Sequence, residues 1–364
     1  MRHTVILAGG GTGGHVYPAL AMGDALRDRG HDVRYYGDGA RLEGRVAPER
    51  GYAFRPVAAV QYPRSGLVAK LKFAWNLLSA TLAARSMLKA DAATMVLGVG
   101  GYVMAPTVLA AWTLGIPAAV HESNVAPGLA NRLCARVATL VLLTYEATRK
   151  HLPTRGEVVT VGCPVNPKVL QGDPSKYGLD AGRPVLLVVG GSLGAATINE
   201  IALACAADPA REYGILHLTG PRYFDEIAGR YRDLPGGMPS RLVVRAYEDQ
   251  MGDALAAASL VLARAGSSTL AEICAVGKPS LLVPSPNVTD NHQEANARGL
   301  EAAGAARVVV EKGIDVAAVA GQVATLLADH DALARMGEAA RTLARPSVAE
   351  EGATLLEGMG AGAG

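Results

Sequence analysis

Aromatic residues are scarce in this chain. They make up 5% of its 364 residues, with only three Phe and two Trp, so the core must be built mostly from small and branched aliphatic side chains. Cysteine is nearly absent too. Cys134, Cys163, Cys205 and Cys274 show no C-x-x-C spacing and sit in apolar surroundings. That excludes a disulfide framework and reads as buried thiols of a cytoplasmic protein. No run of about 18 apolar residues occurs, so no membrane-spanning helix is expected. Met1-Arg2-His3 leads directly into a strand pattern, so no signal peptide is expected either. There is no block of Lys or Arg, and the net charge of +2 gives no sign of a nucleic-acid partner; none is expected.

What is plentiful is glycine, at 43 residues, within a chain that is half hydrophobic. Its length suits two domains of about 150 residues or more. Twelve strand-like runs alternate with Ala- and Leu-rich helical segments: 4–9, 32–37, 94–100, 117–122, 137–144 and 158–162, then 184–191, 214–220, 241–247, 259–266, 279–284 and 306–310. Continuous apolar strands separated by helices predict parallel sheets covered on both faces. The Pro-rich segment 163–184 is the linker candidate. Each half opens with a strand running into glycines and then a helix, VILAGGGTGGH in one and LLVVGGSLGAA in the other. The expected fold is therefore α/β, two Rossmann-like parallel-sheet domains facing a cleft, with ligands at the carboxyl ends of the strands.

Five of the six residues 9–14 are glycine, followed by His15. Such a loop leaves backbone N–H groups facing an anion. Gly9, Gly11 and Gly14 also fit G-x-G-x-x-G, and Asp38 sits where an NAD-binding acid would, so a dehydrogenase is an alternative. The second half is more discriminating. ARAGSSTLAEICAVGKPSLLVP (263–284) ends a strand in Ala265-Gly266 and caps a helix with Ser267, Ser268 and Thr269. It places Glu272 on the first turn. That start favours a diphosphate, and the carboxylate suits ribose hydroxyls; the competing reading of Glu272 is a capping acid. The polar stretch 285–300 carries Gln293 and Asn296, whose amides can both donate to and accept from sugar hydroxyls.

Glu-x-x-x-x-Gly-x-Pro after a Gly/Ser helix start resembles the nucleotide-sugar signature of GT-B glycosyltransferases. Six stretches then come in the order of one family: GGGTGGHVYP, GVGGYVMAP (98–106), HESNVAPGLANR (121–132), GGSLGA (190–195), AGSSTLAEI and HQEANA (292–297). From residue 4 to about 345 the chain resembles the bacterial MurG family, which transfers GlcNAc to lipid I to make lipid II. The resemblance implies residues 1–163 as an acceptor- and membrane-facing domain, with a helix at about 345–364 packing back on it. Residues 164–344 become the UDP-GlcNAc domain. It implies Thr12, Gly13 and Gly14 facing the acceptor pyrophosphate and donor sugar, Asn124 and Gln293 on the GlcNAc, and Ser192 on the nucleotide phosphate. Ser267, Ser268, Thr269, Leu270, Ala271 and Glu272 form the donor-binding helix start, with Glu272 on the ribose. Tyr247 stacks near the uracil and Glu248 acts through its backbone. Two positions depart from the family. Asn166 stands where Pro-Val-Arg has its Arg, with Lys168 the nearby cation, and Leu193 and Ala196 replace Gln and Arg of GGSQGAR.

The implied reaction is attack of the MurNAc C4 hydroxyl on C1 of UDP-GlcNAc with inversion. A sugar hydroxyl needs a base. His15 is the first candidate and Glu122 its rival, with His121 an orienting or buried group. Asp329-His330-Asp331 reads as a helix cap, so no metal and no cofactor are expected; the helix start at Ser267–Thr269 and the amides near Ser192 meet the leaving charge.

In 65–91, Leu67, Leu71, Ala74, Leu78 and Leu82 form a stripe expected to face the core. Off it lie Phe73, Trp75 and Leu77 beside Lys70 and Lys72. With Trp112 from another helix, they are expected to form a patch for anionic lipid, placing the protein peripherally on the cytoplasmic side of the cell membrane. Cell-wall synthesis or division proteins are the protein partners implied. Besides the dehydrogenase, two alternatives stay open: a GT-B enzyme with another acceptor, and a non-catalytic nucleotide-sugar binder.

Overall fold

The computed structural model describes residues 2–58, 62–63, 65–180, 182–288, 291–345 and 347–361. Ala181 of the expected linker, and Thr289 and Asp290 of the expected sugar-contacting stretch, lie outside these residues, as do the ends of the expected C-terminal helix.

The chain divides into two units. Unit 1, residues 1–166 with 346–364, has strands β1 (Thr4–Ala8), β2 (Asp32–Gly37), β3 (Ala53–Pro56), β4 (Met95–Gly98), β5 (Ala118–Glu122), β6 (Leu140–Leu143) and β7 (Glu157–Thr160). Its helices are α1 (Gly13–Asp28), α2 (Leu42–Glu49), α3 (Leu67–Ala90), α4 (Met104–Leu114) and α5 (Leu129–Cys134), completed by the distant α13 (Val348–Ala361). Unit 2, residues 167–345, has β8 (Val185–Val189), β9 (Gly214–Leu218), β10 (Leu242–Arg245), β11 (Leu260–Ala263), β12 (Ser280–Leu282) and β13 (Ala306–Val308). Its helices are α6 (Ala196–Ala207), α7 (Phe224–Arg232), α8 (Met251–Ala257), α9 (Ser267–Val276), α10 (His292–Ala302), α11 (Val316–Ala328) and α12 (His330–Thr342).

Both sheets are parallel, ordered β3-β2-β1-β4-β5-β6-β7 and β10-β9-β8-β11-β12-β13. β3 is the strand the sequence did not announce. AFRP has no apolar run because it is an edge strand, paired only with β2 and half exposed. Elsewhere the strands alternate faces: Val5 and Leu7 of β1 join a core with α1 and α13, while Ile6 and Ala8 face a second core with α3 and α4. Val348, Ala349, Ala353 and Leu356 of α13 belong to the first of these cores. Arg29, beyond α1, binds Glu350 and Glu357 there at 2.7 and 2.9 Å.

Strand order reverses direction between β1 and β4 in one unit and between β8 and β11 in the other. At such switch points adjacent crossovers leave the sheet on opposite sides and open a crevice at the strands' carboxyl ends. The loops 9–12 and 99–103 lie at the first crevice, 190–195 and 264–266 at the second.

The stripe on α3 turns out the reverse of the expectation. Leu67, Leu71, Ala74, Leu78 and Leu82 are exposed, Leu67 at 76%, and Trp75 joins them at 70%. Ala80, Ala84 and Leu88 are the residues α3 buries. Phe73 and Leu77 are half-buried; Phe73 meets Tyr62 edge-on at 5.2 Å, and Leu77 packs on the α4 side of the core. Periodicity identifies a nonaqueous face but not what covers it, and here no described element covers the N-terminal half of the stripe.

Candidate active site

In unit 1 the chain leaves β1 through Gly10 and Gly11, at φ +157° and +89°, and enters α1 at Gly13. Thr12 takes the N-cap position with no side-chain cap; its carbonyl accepts from His15 N–H and Val16 N–H. Gly13 and Gly14 are thus the first helical residues, where N–H groups point along the axis toward an anion. His15 folds back over the loop. Its Nδ1 lies 3.1 Å from the Gly10 carbonyl and 3.4 Å from the Thr12 hydroxyl. A carbonyl only accepts, so the neutral ring carries its proton on Nδ1 and its lone pair on Nε2. The ring rests on Gly100 at φ +106°, where a Cβ would stand 2.8 Å from Nε2. The sequence shows GVGG only as a motif; that Gly100 is the floor under His15 emerges from the fold.

The rival base is committed differently. Glu122, at the end of β5, is buried and accepts from Asn124 N–H at 2.8 Å and Gly128 N–H at 3.1 Å, one on each oxygen. Asn124 Nδ2 lies 3.4 Å from the same carboxylate, and its carbonyl accepts from Thr148. Burial pushes Glu122 up to about 7 despite these donors. His121 is fully buried, faces the Gly162 carbonyl through Nε2 at 3.0 Å, and is pushed down to about 4 by burial, with the His15 charge adding to the same direction. Glu122 therefore organises the loop that presents Asn124, and His121 stays neutral beneath it.

In unit 2, α9 begins at Ser267 with Gly266 as N-cap. Among the described residues, the buried Ser267 and Ser268 hydroxyls and Asn296 Oδ1 have no hydrogen-bond partner; Asn296 Nδ2 donates to the Ala265 carbonyl at 3.4 Å. Orphan hydroxyls beside a helix N-terminus are what an oxyanion would satisfy. Thr269 is half-buried, Leu270 is core with its N–H already given to the Gly266 carbonyl, and Ala271 is half-buried. Glu272 falls on the second turn, not the first, since the helix starts at Ser267 itself; among the described residues it makes no hydrogen bond or ion pair. The capping-acid reading thereby loses its geometry. Burial pushes this half-buried carboxyl up to about 7.

Elsewhere in unit 2, Gln293 turns its oxygen to Ser285 N–H at 2.9 Å, which points its donor end, the NH2, the other way. Ser192 is half-buried in the β8–α6 loop, where Gly191 and Gly194 have positive φ. Tyr247 follows β10, half-buried. Glu248 spends its side chain on Lys176 at 3.0 Å, Tyr177 at 2.8 Å, Arg245 at 3.3 Å and Gln250 N–H at 2.9 Å. Burial alone would raise its pKa, but the Gln250 N–H, Lys176 and Tyr177 hold it below the usual carboxylate range. Asn166 ends the first segment of unit 1, and the exposed Lys168 lies in the short 3-10 turn Pro167–Gln171 that opens unit 2. Arg264 is a residue the sequence reading passed over. It donates to the Val283 carbonyl at 2.9 Å and pairs with Glu311, tying together the ends of β11 and β12 just before the α9 start. A cation ending an apolar strand was the available signal. Asp329 caps α12 by accepting from Ala332 N–H, and no cluster of three metal-ligating side chains occurs among the described residues.

Two parallel-sheet units, each with a glycine loop at its switch point and one with orphan hydroxyls at a helix start, describe a fold that many enzymes share. Sequence comparison narrows it. Residues 5–143 match the glycosyltransferase family 28 N-terminal domain and residues 185–351 its C-terminal domain. This chain belongs to glycosyltransferase family 28. It is 39% identical over 355 residues to the UDP-N-acetylglucosamine–N-acetylmuramyl-(pentapeptide) pyrophosphoryl-undecaprenol N-acetylglucosamine transferase of Salinibacter ruber, covering 95% of this chain and 94% of that protein. With the transferase of the same name from Halorhodospira halophila it shares 40% over 357 residues, 97% and 98% of the two chains. The crystal structure of Acinetobacter baumannii MurG superposes with a TM-score of 0.74 at 29% identity, covering 98% of this chain and all of that one. The MurG resemblance of the six motifs is borne out, and a dehydrogenase is set aside: the glycine loop at 9–14 is a family 28 loop.

Proposed function

We propose that this family 28 enzyme transfers GlcNAc from UDP-GlcNAc to the C4 hydroxyl of MurNAc in undecaprenyl-pyrophosphoryl-MurNAc-pentapeptide, making lipid II for peptidoglycan. The near-full-length identity to transferases of that name carries the reading. The test is transfer of labelled GlcNAc to a lipid I analogue. Turnover only with some other acceptor would reject it.

The chemistry follows from the side chains. His15 Nε2 takes the proton of the C4 hydroxyl as that oxygen bonds to C1 of the donor. The C1–O bond to the diphosphate breaks, its electron pair leaves with UDP, and C1 inverts. The leaving oxyanion is met by the α9 N-terminus and the Ser267 and Ser268 hydroxyls, fixed donors that need no reorganisation when charge develops. Glu272 accepts from the ribose, and Gln293 and Asn124 hold the sugar.

The acceptor is a lipid, and among the described residues no helix is long and apolar enough to cross a membrane. The exposed stripe Leu67, Leu71, Trp75, Leu78 and Leu82, with Trp112 at 58% exposure on the neighbouring helix and the exposed Lys70 and Lys72, supports peripheral docking on anionic lipid at the cytoplasmic side of the membrane. Phe73 and Leu77 drop out of the lipid-contacting set because they are half-buried against the protein. Changing Leu71 and Trp75 to Ser is expected to weaken binding to phosphatidylglycerol vesicles about 10-fold or more, since each loses an apolar side chain worth roughly 1.5–3 kcal/mol when buried. Turnover of a short-chain soluble acceptor should be unchanged. Unaltered vesicle binding would reject the patch.

A further inference from the structure

One buried carboxylate near the first glycine loop belongs to no role given so far. Glu43, in the first turn of α2, is fully buried, and among the described residues it has no ion pair. Its Oε2 accepts from Gly11 N–H at 3.0 Å and its Oε1 from Asp38 N–H at 3.1 Å. Acceptance on both oxygens is the pattern of an ionised carboxylate, and the N-terminus of α2 lies beside it to favour the charge. Two glycines make room for it: a methyl group at Gly10 would coincide with the Glu43 carboxyl, and one at Gly37 would stand 2.6 Å from its Cγ.

The Gly11 N–H belongs to the same peptide group as the Gly10 carbonyl, and that carbonyl accepts from His15 Nδ1 at 3.1 Å. Carboxylate, peptide and imidazole therefore form one line: Glu43 to H–N of Gly11, C=O of Gly10 to H–Nδ1 of His15. A peptide whose N–H donates to an anion becomes a stronger acceptor at its carbonyl, because hydrogen bonds in series polarise one another. The loop after β4 steadies the same peptide region, with Gly10 N–H donating to the Gly100 carbonyl at 3.3 Å.

We infer that Glu43 is a positioning residue for His15, acting through the Gly10–Gly11 peptide to hold the ring in its Nδ1–H tautomer and to make Nε2 a stronger base. This rests on the reading of His15 as base. It gives the enzyme a relayed carboxylate–histidine pair, with a peptide group standing between members that elsewhere touch directly. A further titratable group set against His15 is His121 of β5, which stays neutral when buried; the first turn of α1 carries no acid.

Glu43→Gln tests it in the full-length enzyme. The amide keeps the shape and removes the charge. Loss of a negative charge behind the ring disfavours the imidazolium, so the acidic limb of kcat should move to lower pH by about one unit, and kcat at neutral pH should fall about 10-fold. UDP-GlcNAc KM should stay unchanged. Nitrogen NMR of the His15 ring should show Nδ1–H in the wild type, and titration at lower pH in the variant. On a His15→Ala background, Glu43→Gln should cost nothing further, because its effect runs through the missing ring. An unchanged ring titration and pH limb would overturn the inference and leave Glu43 a brace for the loop. If His15→Ala keeps its kcat, the base reading falls and takes the catalytic half of this inference with it, while the ring titration still decides whether Glu43 sets the tautomer. Should Glu43→Gln not fold, Glu43→Asp, which withdraws the charge by one methylene, carries the same readouts with a smaller shift; an unshifted ring there is equally fatal.

Discussion

His15→Ala is expected to lower kcat by about 100-fold or more while UDP-GlcNAc affinity stays within about twofold. A base contributes only as the proton moves, so its loss falls on the transition state. The donor's proposed contacts at α9 and the β8–α6 loop belong to the other unit and remain intact. The pH profile should also lose its acidic limb, because a ring that must be neutral at Nε2 is protonated as pH falls. A raised acceptor KM with kcat preserved would mean that His15 binds the lipid pyrophosphate. Near-normal kinetics would leave it a helix-start residue and turn attention to Glu122→Gln. The geometry argues against that last outcome, since both Glu122 oxygens are engaged by backbone N–H groups and only rearrangement of the Asn124 loop would release them.

Glu272→Ala is expected to weaken UDP-GlcNAc binding by about 2–3 kcal/mol, the scale of a charged acceptor lost from two hydroxyl donors. Folding should hardly change, since among the described residues the carboxylate has no bonding partner, and it lies past the turn where the helix dipole would reward it. The binding should also depend on pH. Burial raises the carboxyl to about 7, and the ionised form is the one that accepts from ribose. Below that pH the donor must compete with a proton, so affinity should fall about 10-fold from pH 8 to pH 6 in the wild type and not in Glu272→Gln. Calorimetry showing equal affinity for UDP in wild type and Ala variant would reject the ribose role.

Twelve of the thirteen strands and the doubly wound class were readable because buried parallel strands announce themselves as apolar runs. β3 was not, since an edge strand with Arg and Pro looks like loop. The donor helix was located by its Gly-Ser-Ser start, yet the helix begins earlier than the Ser-Ser-Thr cap implied, which moved Glu272 from the first turn to the second. The stripe on α3 was found and then turned inside out: Leu67 to Leu82 recur at the spacing of a buried face, and a face meant for another nonaqueous phase has the same spacing. Glu43 was invisible for a different reason. An acid between Leu42 and Gly44 in a short helix carries no motif, and its meaning depends on Gly11 and Asp38, which are its neighbours only after folding.

α13 joins the core of a unit whose other α-helices are all encoded before residue 135. The whole of unit 2, residues 167–345, is translated in between. On the ribosome the unit begun first is therefore finished last. Val5, Leu7 and Leu20 wait for Ala353 and Leu356 while some 180 residues are made, about ten seconds or more at ordinary elongation rates. During that interval a nascent chain shows an uncovered apolar face, the surface that chaperones hold. The same arrangement means that residues 167–345 can be cut out as one continuous piece, whereas the first unit needs a new covalent join between its two segments before it can be made alone.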